Sequence, residues 1–500
     1  MAFSSATDSW KPDDVETMLE LLQTSLVKPI KPTKRHIMYL SGVDNMLGYL
    51  PPNRTILFYR EEKTSSSAVA DLQIALSSLL VSYYPLAGRI ILGDDGRHAL
   101  DCNDEGVELT EARCDMEFAE LQRDNFNMHP VFRRLVPMDD ATVSNHPHDP
   151  IVSIQVSLLH TSVSVRHGCS ASRYMQFFTV LESMTFTLQV TGFRGGLTVG
   201  FAVLHSVGDG YSVWNFIKAL SEVCRDQPLS LHPLHARMLL KPEVFKNGAI
   251  FTKEECRSAD EDVPQLGVQL SSEEQDNNIE PLKQVVIHFS STMLSVLRKL
   301  GVPQGSDSEP GILVSILGAY LWRRLVIAQR LGEKSTTEFR VSMDIRSRMI
   351  PPLTPSFFGN AVVGFPLTLT VGELINGDLS QLASSIRCKL KEAEDDHIKE
   401  LLIARHDFHL SKYQPTRRKV IVRNASRFPV YDAGDFGWGK PETVRPPWEE
   451  MEGHMTWYPG KEPKSIDVIV AMAESTYTNF FSTDLYVGDP LSSFPLCTSS

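Results

Sequence analysis

From Leu197 to Val223 the spacing of apolar side chains changes from every second residue to every third or fourth, and the change is complete within five residues. Leu197, Val199, Phe201, Val203 and His205 alternate with Thr198, Gly200, Ala202 and Leu204, the period of a strand. Val213, Phe216, Ile217, Leu220 and Val223 follow the period of a helix. Between them lies Ser206-Val207-Gly208-Asp209-Gly210, in which Asp209 is placed to cap the helix with its carboxylate. A strand that ends on a histidine and feeds a helix through a glycine-containing turn is how an α/β scaffold brings reactive groups to the end of a sheet.

The chain has 500 residues, 42% of them hydrophobic and 22% charged, which excludes disordered, collagenous and membrane-spanning classes and calls for two or three folding units. With 49 Lys and Arg against 61 Asp and Glu the net charge is −12, so neither nucleic acid nor an anionic lipid surface is the expected partner. Cys102, Cys114, Cys169, Cys224, Cys256, Cys388 and Cys497 form no Cys-x-x-Cys pair; no disulfide framework and no metal site is expected. Met1 to Lys11 is polar and no apolar run reaches the length of a signal core or membrane span, which gives a cytoplasmic expectation.

Val15, Met18, Leu19, Leu22 and Leu26 predict an amphipathic helix over Asp13 to Leu26, stopped by Pro29 and Pro32. A second helix starts near Ser66 and ends at Pro85. From Arg225 to Lys283 the pattern dissolves into proline-containing and then acidic sequence, the character of a crossover. A second unit opens with a strand from Gln284 to Phe289, a helix capped by Ser290 or Ser291, and an apolar helix from Gly311 to Leu331. The division is an N-terminal domain at 1–230, a crossover at 231–283 and a C-terminal domain at 284–500, each domain α/β with a mixed sheet flanked by helices. Ile154-Gln155-Val156-Ser157 is echoed by Leu188-Gln189-Val190-Thr191, and the stretch between has no sustained period; residues 157–187 read as an insertion or a genuine lineage-specific element.

Three strings carry candidate chemistry. His205 with Asp209 offers an imidazole able to take a proton near neutral pH and a carboxylate able to fix its surroundings. In Asp435-Phe436-Gly437-Trp438-Gly439, followed by Lys440-Pro441, two rings alternate with glycines; this reads as a rigid turn packing its rings in a core ahead of a ligand contact. In Asp344-Ile345-Arg346-Ser347-Arg348, one guanidinium can pair with a distant carboxylate such as Asp209, or both can lie on a solvated face.

His205-x-x-x-Asp209-Gly210 followed by Asp435-Phe436-Gly437-Trp438-Gly439 resembles the two signatures of the plant BAHD acyl-CoA-dependent acyltransferases, in the family's order. Val27-Lys28-Pro29, Tyr84 to Arg89, Leu321-Trp322-Arg323, Arg348 with Pro351-Pro352, Phe358-Gly359-Asn360 and Ile466-Asp467-Val468 resemble family positions over almost the whole chain. Lys440 to Arg445 is similar to members implicated in cuticular polyester formation and, less closely, to hydroxycinnamoyl and malonyl transferases. The resemblance implies two chloramphenicol-acetyltransferase-like domains with a channel between them, and a monomer. It implies an acyl-CoA donor as co-substrate, a small-molecule alcohol or amine acceptor from plant specialised, cuticular or phenolic metabolism, and neither metal nor other cofactor. His205 would be the general base. Asp209 and Gly210, with Arg346 as partner of Asp209, would hold the loop, and Asp435 to Gly439 would shape the coenzyme side. Arg298, Lys299, Arg323 and Arg324 are candidates for a basic rim facing coenzyme phosphates, and equally for solvated faces. A non-catalytic relative that binds acyl-CoA or a partner protein is the competing expectation, and a peptide-condensing domain shares the histidine motif.

Overall fold

A computed structural model describes residues 18–48, 50–60, 65–93, 97–136, 151–157, 185–241, 280–301, 311–392, 395–406, 418–447, 451–482 and 489–494. Among the described residues sixteen strands run in chain order. The first nine are β1 (Leu19–Val27), β2 (His36–Tyr39), β3 (Asn53–Arg60), β4 (Arg89–Leu92), β5 (His98–Cys102), β6 (Val107–Glu117), β7 (Ile151–Ser157), β8 (Thr185–Arg194) and β9 (Gly196–Val203). The remainder are β10 (Leu282–Phe289), β11 (Thr336–Asp344), β12 (Val362–Thr370), β13 (Lys419–Asn424), β14 (Thr443–Arg445), β15 (His454–Pro459) and β16 (Ile466–Ala473). They build a seven-stranded sheet in the order β1-β6-β8-β7-β9-β3-β14, a six-stranded sheet in the order β10-β16-β15-β13-β11-β12, and a small sheet β2-β5-β4. Both large sheets mix parallel and antiparallel neighbours, as the sequence patterning predicts.

β9 is buried along its whole length. Its alternation therefore separates large side chains from small ones rather than inside from outside, because both faces of the sheet are covered. Gly200 shows why the small face is needed: a Cβ there would stand 2.1 Å from the carbonyl oxygen of Leu135. The helix Gly210–Cys224 follows β9 as expected, capped by Asp209, whose side chain accepts from the amide of Ser212. Ser290 is the residue that receives the Met293 amide at the start of the helix Ser291–Gly301.

Three expectations are corrected. The segment expected as a helix over Asp13 to Leu26 is strand β1 from Leu19 onward, paired antiparallel with β6; residues 13–17 lie outside the described residues. Leu19 and Val27 are buried while Leu21, Leu22 and Leu26 are exposed, so a short run of leucines at helical spacing is overridden by the open edge of β6. The helix Ile312–Gln329 is long and apolar enough by length and composition to cross a membrane, although no such run was expected. Most of it is buried within the protein, where Trp322 stacks on Phe339 and donates Nε1 to Thr337 Oγ1 at 3.0 Å. Finally, the boundary at 283 does not divide the sheets. β14 joins the N-terminal sheet by pairing with β3, and Ala425, Val430, Phe436, Trp438 and Val444 belong to the N-terminal core.

The halves are tied by the buried Arg445. Its Nε donates to Phe126 O at 2.8 Å and its Nη1 stands 3.2 Å from Asp467 Oδ2 on β16. A further apolar cluster, including Val43, Leu47, Leu240, Ile345, Phe357 and Ala361, joins the N-terminal half and the crossover to the second half.

The proposed insertion at 157–187 lies, from 158 to 184, outside the described residues. The strands on either side carry the sequence echo into register. Ile154, Gln155 and Val156 of β7 stand opposite Phe201, Gly200 and Val199 of β9, and Leu188, Gln189 and Val190 of β8 stand opposite the same three residues. The other edge of β9 is taken by β3. One edge of a strand presents a single row of amides and carbonyls, enough for one ladder, so β7 and β8 are equivalent claimants for one place. Removing residues 157–190 joins Val156, opposite Val199, to Thr191, opposite Thr198, with no register slip. The shortened protein is expected to fold with an unchanged far-UV circular dichroism spectrum and a Tm no lower than that of the full chain; an insoluble or molten product would show that both strands are required.

Candidate active site

β9 ends at Val203, and His205 stands in the turn that follows. The main-chain oxygens of that turn are nearly all taken. Leu204 O accepts from Val207 N at 3.0 Å, His205 O from Asn360 Nδ2 at 2.6 Å, Gly208 O from Asn53 Nδ2 at 2.7 Å and Asp209 O from Val213 N at 3.0 Å. Val207 O accepts from Arg237 Nη2. The donors come from β3, the crossover and the second half of the chain, so the turn is held from three directions, as buried main-chain polar groups require.

Asp209 and Arg346 form a two-point ion pair, Nη1 to Oδ2 at 2.8 Å and Nη2 to Oδ1 at 3.1 Å, with side chains 1% and 4% exposed. The carboxylate also accepts from the amides of Ser212 at 2.9 Å and Ala361 at 2.9 Å. Arg346 Nη2 donates further to Ser212 Oγ at 3.0 Å and Gly359 O at 3.0 Å, and the guanidinium lies 4.5 Å above the Tyr211 ring. Burial alone would raise the Asp209 carboxyl; the Arg346 charge and the two amides outweigh it and hold the group below the usual carboxylate range. Asp209 is thus a charged, fully occupied anchor, with no oxygen lone pair assigned to the imidazole.

His205 keeps part of its surface accessible, while Nδ1 is buried with no aligned hydrogen-bond partner among the described residues. Desolvation lowers the imidazole pKa below 6.5; its own carbonyl, Asp209 and Asn360 pull upward, Arg423 adds to the lowering, and the net direction is down. A neutral imidazole at physiological pH is a proton acceptor.

The Asp435 to Gly439 turn packs away from this group, its described contacts running to Tyr59, Phe201 and Arg225. Phe436 stacks on Phe201 at 6.2 Å between ring centroids, and Trp438 meets Tyr59 edge-on at 6.2 Å. Asp435 Oδ1 accepts from Gly437 N at 3.0 Å and Oδ2 lies 3.4 Å from Arg225 Nη1. Gly437 and Gly439 have φ of +97° and +99°, the left-handed region that glycine supplies without strain. Phe201 lies on β9, four residues before His205, so the Asp435 to Gly439 turn supports the strand that leads into the histidine turn.

Two of the four candidate rim cations are committed elsewhere. Arg323 donates to Leu374 O at 3.0 Å and to Gly377 O; Arg324 is buried against Asp489 and the carbonyl of Phe480. Arg298 and Lys299 remain exposed at the end of their helix. Conversely, Asp44, Asn53, Ser212, Arg237 and Ala361 hold the turn without having been singled out by sequence. For Asp44 a signal existed: Ser41-x-x-Asp44 has the spacing of a capping box, and both of its reciprocal bonds are present.

Removing one member of a buried pair leaves a charge with no partner, at a cost of about 3–5 kcal/mol. Arg346→Ala is expected to lower the denaturant midpoint accordingly and to cost activity at temperatures where the variant is still folded; a wild-type midpoint in urea would refute the anchoring role.

Comparison with known proteins agrees with this geometry. The model of the Transferase family matches residues 17–176 and 176–485. The shikimate O-hydroxycinnamoyltransferase of Nicotiana tabacum is 25% identical over 494 residues, covering 94% of this chain and 99% of that protein. The omega-hydroxypalmitate O-feruloyl transferase of Arabidopsis thaliana is 24% identical over 465 residues, covering 90% and 89%. Among solved structures, vinorine synthase aligns with a TM-score of 0.63 at 21% identity over 96% of this chain and 100% of that one. F. graminearum TRI101, complexed with coenzyme A and T-2 mycotoxin, aligns with a TM-score of 0.69 at 16% identity over 89% and 96%. With family matches across both halves and the same two-sheet fold, the chain belongs to the Transferase family, the BAHD acyl-CoA-dependent acyltransferases.

Proposed function

We propose that the protein moves an acyl group from a coenzyme A thioester to a hydroxyl of a small plant phenolic, cuticular or other specialised metabolite, with His205 as the general base. The observation that carries this reading is His205 itself: a partly accessible imidazole with lowered pKa and a buried Nδ1, on a turn held from both halves of the chain. The hydroxylated acceptors named for the tobacco and Arabidopsis relatives support the hydroxyl.

Acceptor and thioester meet at Nε2, in the channel between the halves that the family resemblance implies. Nε2 takes the acceptor O–H proton as the oxygen attacks the thioester carbonyl. The tetrahedral intermediate collapses with cleavage of the C–S bond, and the imidazolium returns the proton to the departing thiolate, giving an ester and free coenzyme A. Holding both substrates at one nitrogen supplies proximity. An amine acceptor requires the same steps, and an oat relative is named as an N-hydroxycinnamoyltransferase.

Release of free coenzyme A thiol is the test, read over acetyl, malonyl, hydroxycinnamoyl and fatty acyl thioesters with pooled alcohols and amines. Acceptor-dependent release is expected, and His205→Ala is expected to lower kcat by about 10²- to 10⁴-fold while the protein stays folded. Undiminished turnover in that variant would remove His205 from the reaction. Because only the neutral imidazole accepts a proton, kcat/KM should fall on the acid side with an apparent pKa below 6.5, the direction set by burial; a limb above 6.5 contradicts the assignment.

A further inference from the structure

Asp209 is not the only buried carboxylate tied to the histidine turn. Asp44, on the short helix Gly42–Leu47, pairs with Arg237 of the crossover, Oδ1 to Nη1 at 2.7 Å, with side chains 0% and 1% exposed. Asp44 Oδ2 is fixed by Ser41, whose amide and hydroxyl both donate to it at 2.8 Å. Asn360 joins the pair. Its Nδ2 donates to Asp44 Oδ1 at 2.8 Å and to His205 O at 2.6 Å, and its main-chain amide stands 3.2 Å from the same Asp44 oxygen. Both partners of Nδ2 are pure acceptors, which fixes the orientation of the amide group. Arg237 Nη2 in turn donates to Val207 O. Gly359 makes room for this guanidinium, since a Cβ there would lie 3.1 Å from Nη1.

The ends of this network fall on the carbonyls of residues 205 and 207, on both sides of the turn that carries the imidazole. A buried charge pair is poor value as a source of stability when apolar residues would fill the same volume; fixing a geometry is what such a pair does better. We propose that Asp44, Arg237 and Asn360 form a positioning device that sets the place of the His205 imidazole, separate from the Asp209–Arg346 anchor at the start of the following helix. The proposal rests on the reading of His205 as the base.

The test is steady-state kinetics on the full chain with the best thioester and acceptor from the panel above. Arg237→Ala alone leaves Asp44 buried and unpaired, so the paired variant Asp44→Asn with Arg237→Met removes both charges together and keeps the volume. Asn360→Ala removes the donor to His205 O. Both are expected to lower kcat about 10- to 100-fold, the scale of a displacement near 1 Å at a reacting group, with KM for both substrates unchanged. Because the three residues act as one unit, combining the changes should cost no more than the larger of the two. Should Asn360→Ala not fold, Asn360→Ser, which keeps a donor too short for the reach, reads the same loss. Folded variants with wild-type kcat overturn the proposal, and so does a loss that appears in KM with kcat unchanged. His205→Ala in the same assay separates the two readings: if it retains turnover, the base assignment fails; if it is inactive while the Asp44, Arg237 and Asn360 variants are not, only the positioning device fails.

Discussion

The Asp209–Arg346 pair is the contact on which the geometry of the site depends. Asp209 caps the helix after the histidine turn, and Arg346 belongs to the second half of the chain, so one interaction fixes both a helix start and the meeting of two folding units. Neither charge reaches solvent. Every oxygen of the carboxylate and both terminal nitrogens of the guanidinium are spent on named partners, the condition under which a buried pair is tolerated. What the pair supplies is directional: two parallel N–H···O bonds fix a plane as well as a distance. A helix cap built from a lone serine would hold the helix equally well and leave the two halves free to shift.

The exchange of β14 makes the same point at the level of the chain. A segment from the C-terminal half completes the N-terminal sheet beside β3, and the rings of Phe436 and Trp438 just before it pack on Tyr59 and Phe201. Arg445 then reaches from β14 to Asp467 in the other sheet. Movement of one sheet against the other must therefore break a buried ion pair or pull a strand out of register. The Asp-Phe-Gly-Trp-Gly turn serves this arrangement by letting the chain reverse at two left-handed glycines while burying two large rings, which explains a sequence otherwise out of place outside a ligand pocket.

Much of this was legible in the sequence, and the exceptions have physical causes. The strand, turn and helix around His205 were readable because each carries its own period and the change of period marks the turn. Arg346 was readable as a partner for Asp209 only as one option, since an arginine in a loop gives no sign of its depth. Asn53 and Arg237 lay hidden because what makes them matter is contact across 155 residues from Asn53 to Gly208 and 30 from Arg237 to Val207, and side-chain bonds to distant main chain leave no periodic trace. β1 misled for the opposite reason: its leucines do have a helical spacing, and only the open edge of β6 decides against it. The division at 283 failed because hydrophobic patterning reports that a segment is buried but not in which core, and β14 with its three residues is too short to announce its sheet.

The two carboxylates near the turn also bear on the order of proton movements in the proposed reaction. Where a carboxylate faces the second nitrogen of a catalytic imidazole, it stabilises the imidazolium and lets the charge persist. Here Asp209 is neutralised by Arg346 and Asp44 by Arg237, and Nδ1 of His205 is buried with no aligned partner among the described residues. Desolvation dominates the imidazole pKa, with Arg423 adding to its lowering. With the imidazole pKa lowered by burial, the proton taken from the acceptor in the proposed reaction is passed on more readily than from a free imidazole. In the proposed reaction the developing thiolate of coenzyme A is the base that receives this proton. The same burial that withholds charge stabilisation from His205 thereby favours coupling acceptance of the first proton to departure of the leaving group, a division of labour in which the carboxylates hold the frame and the imidazole alone handles the proton.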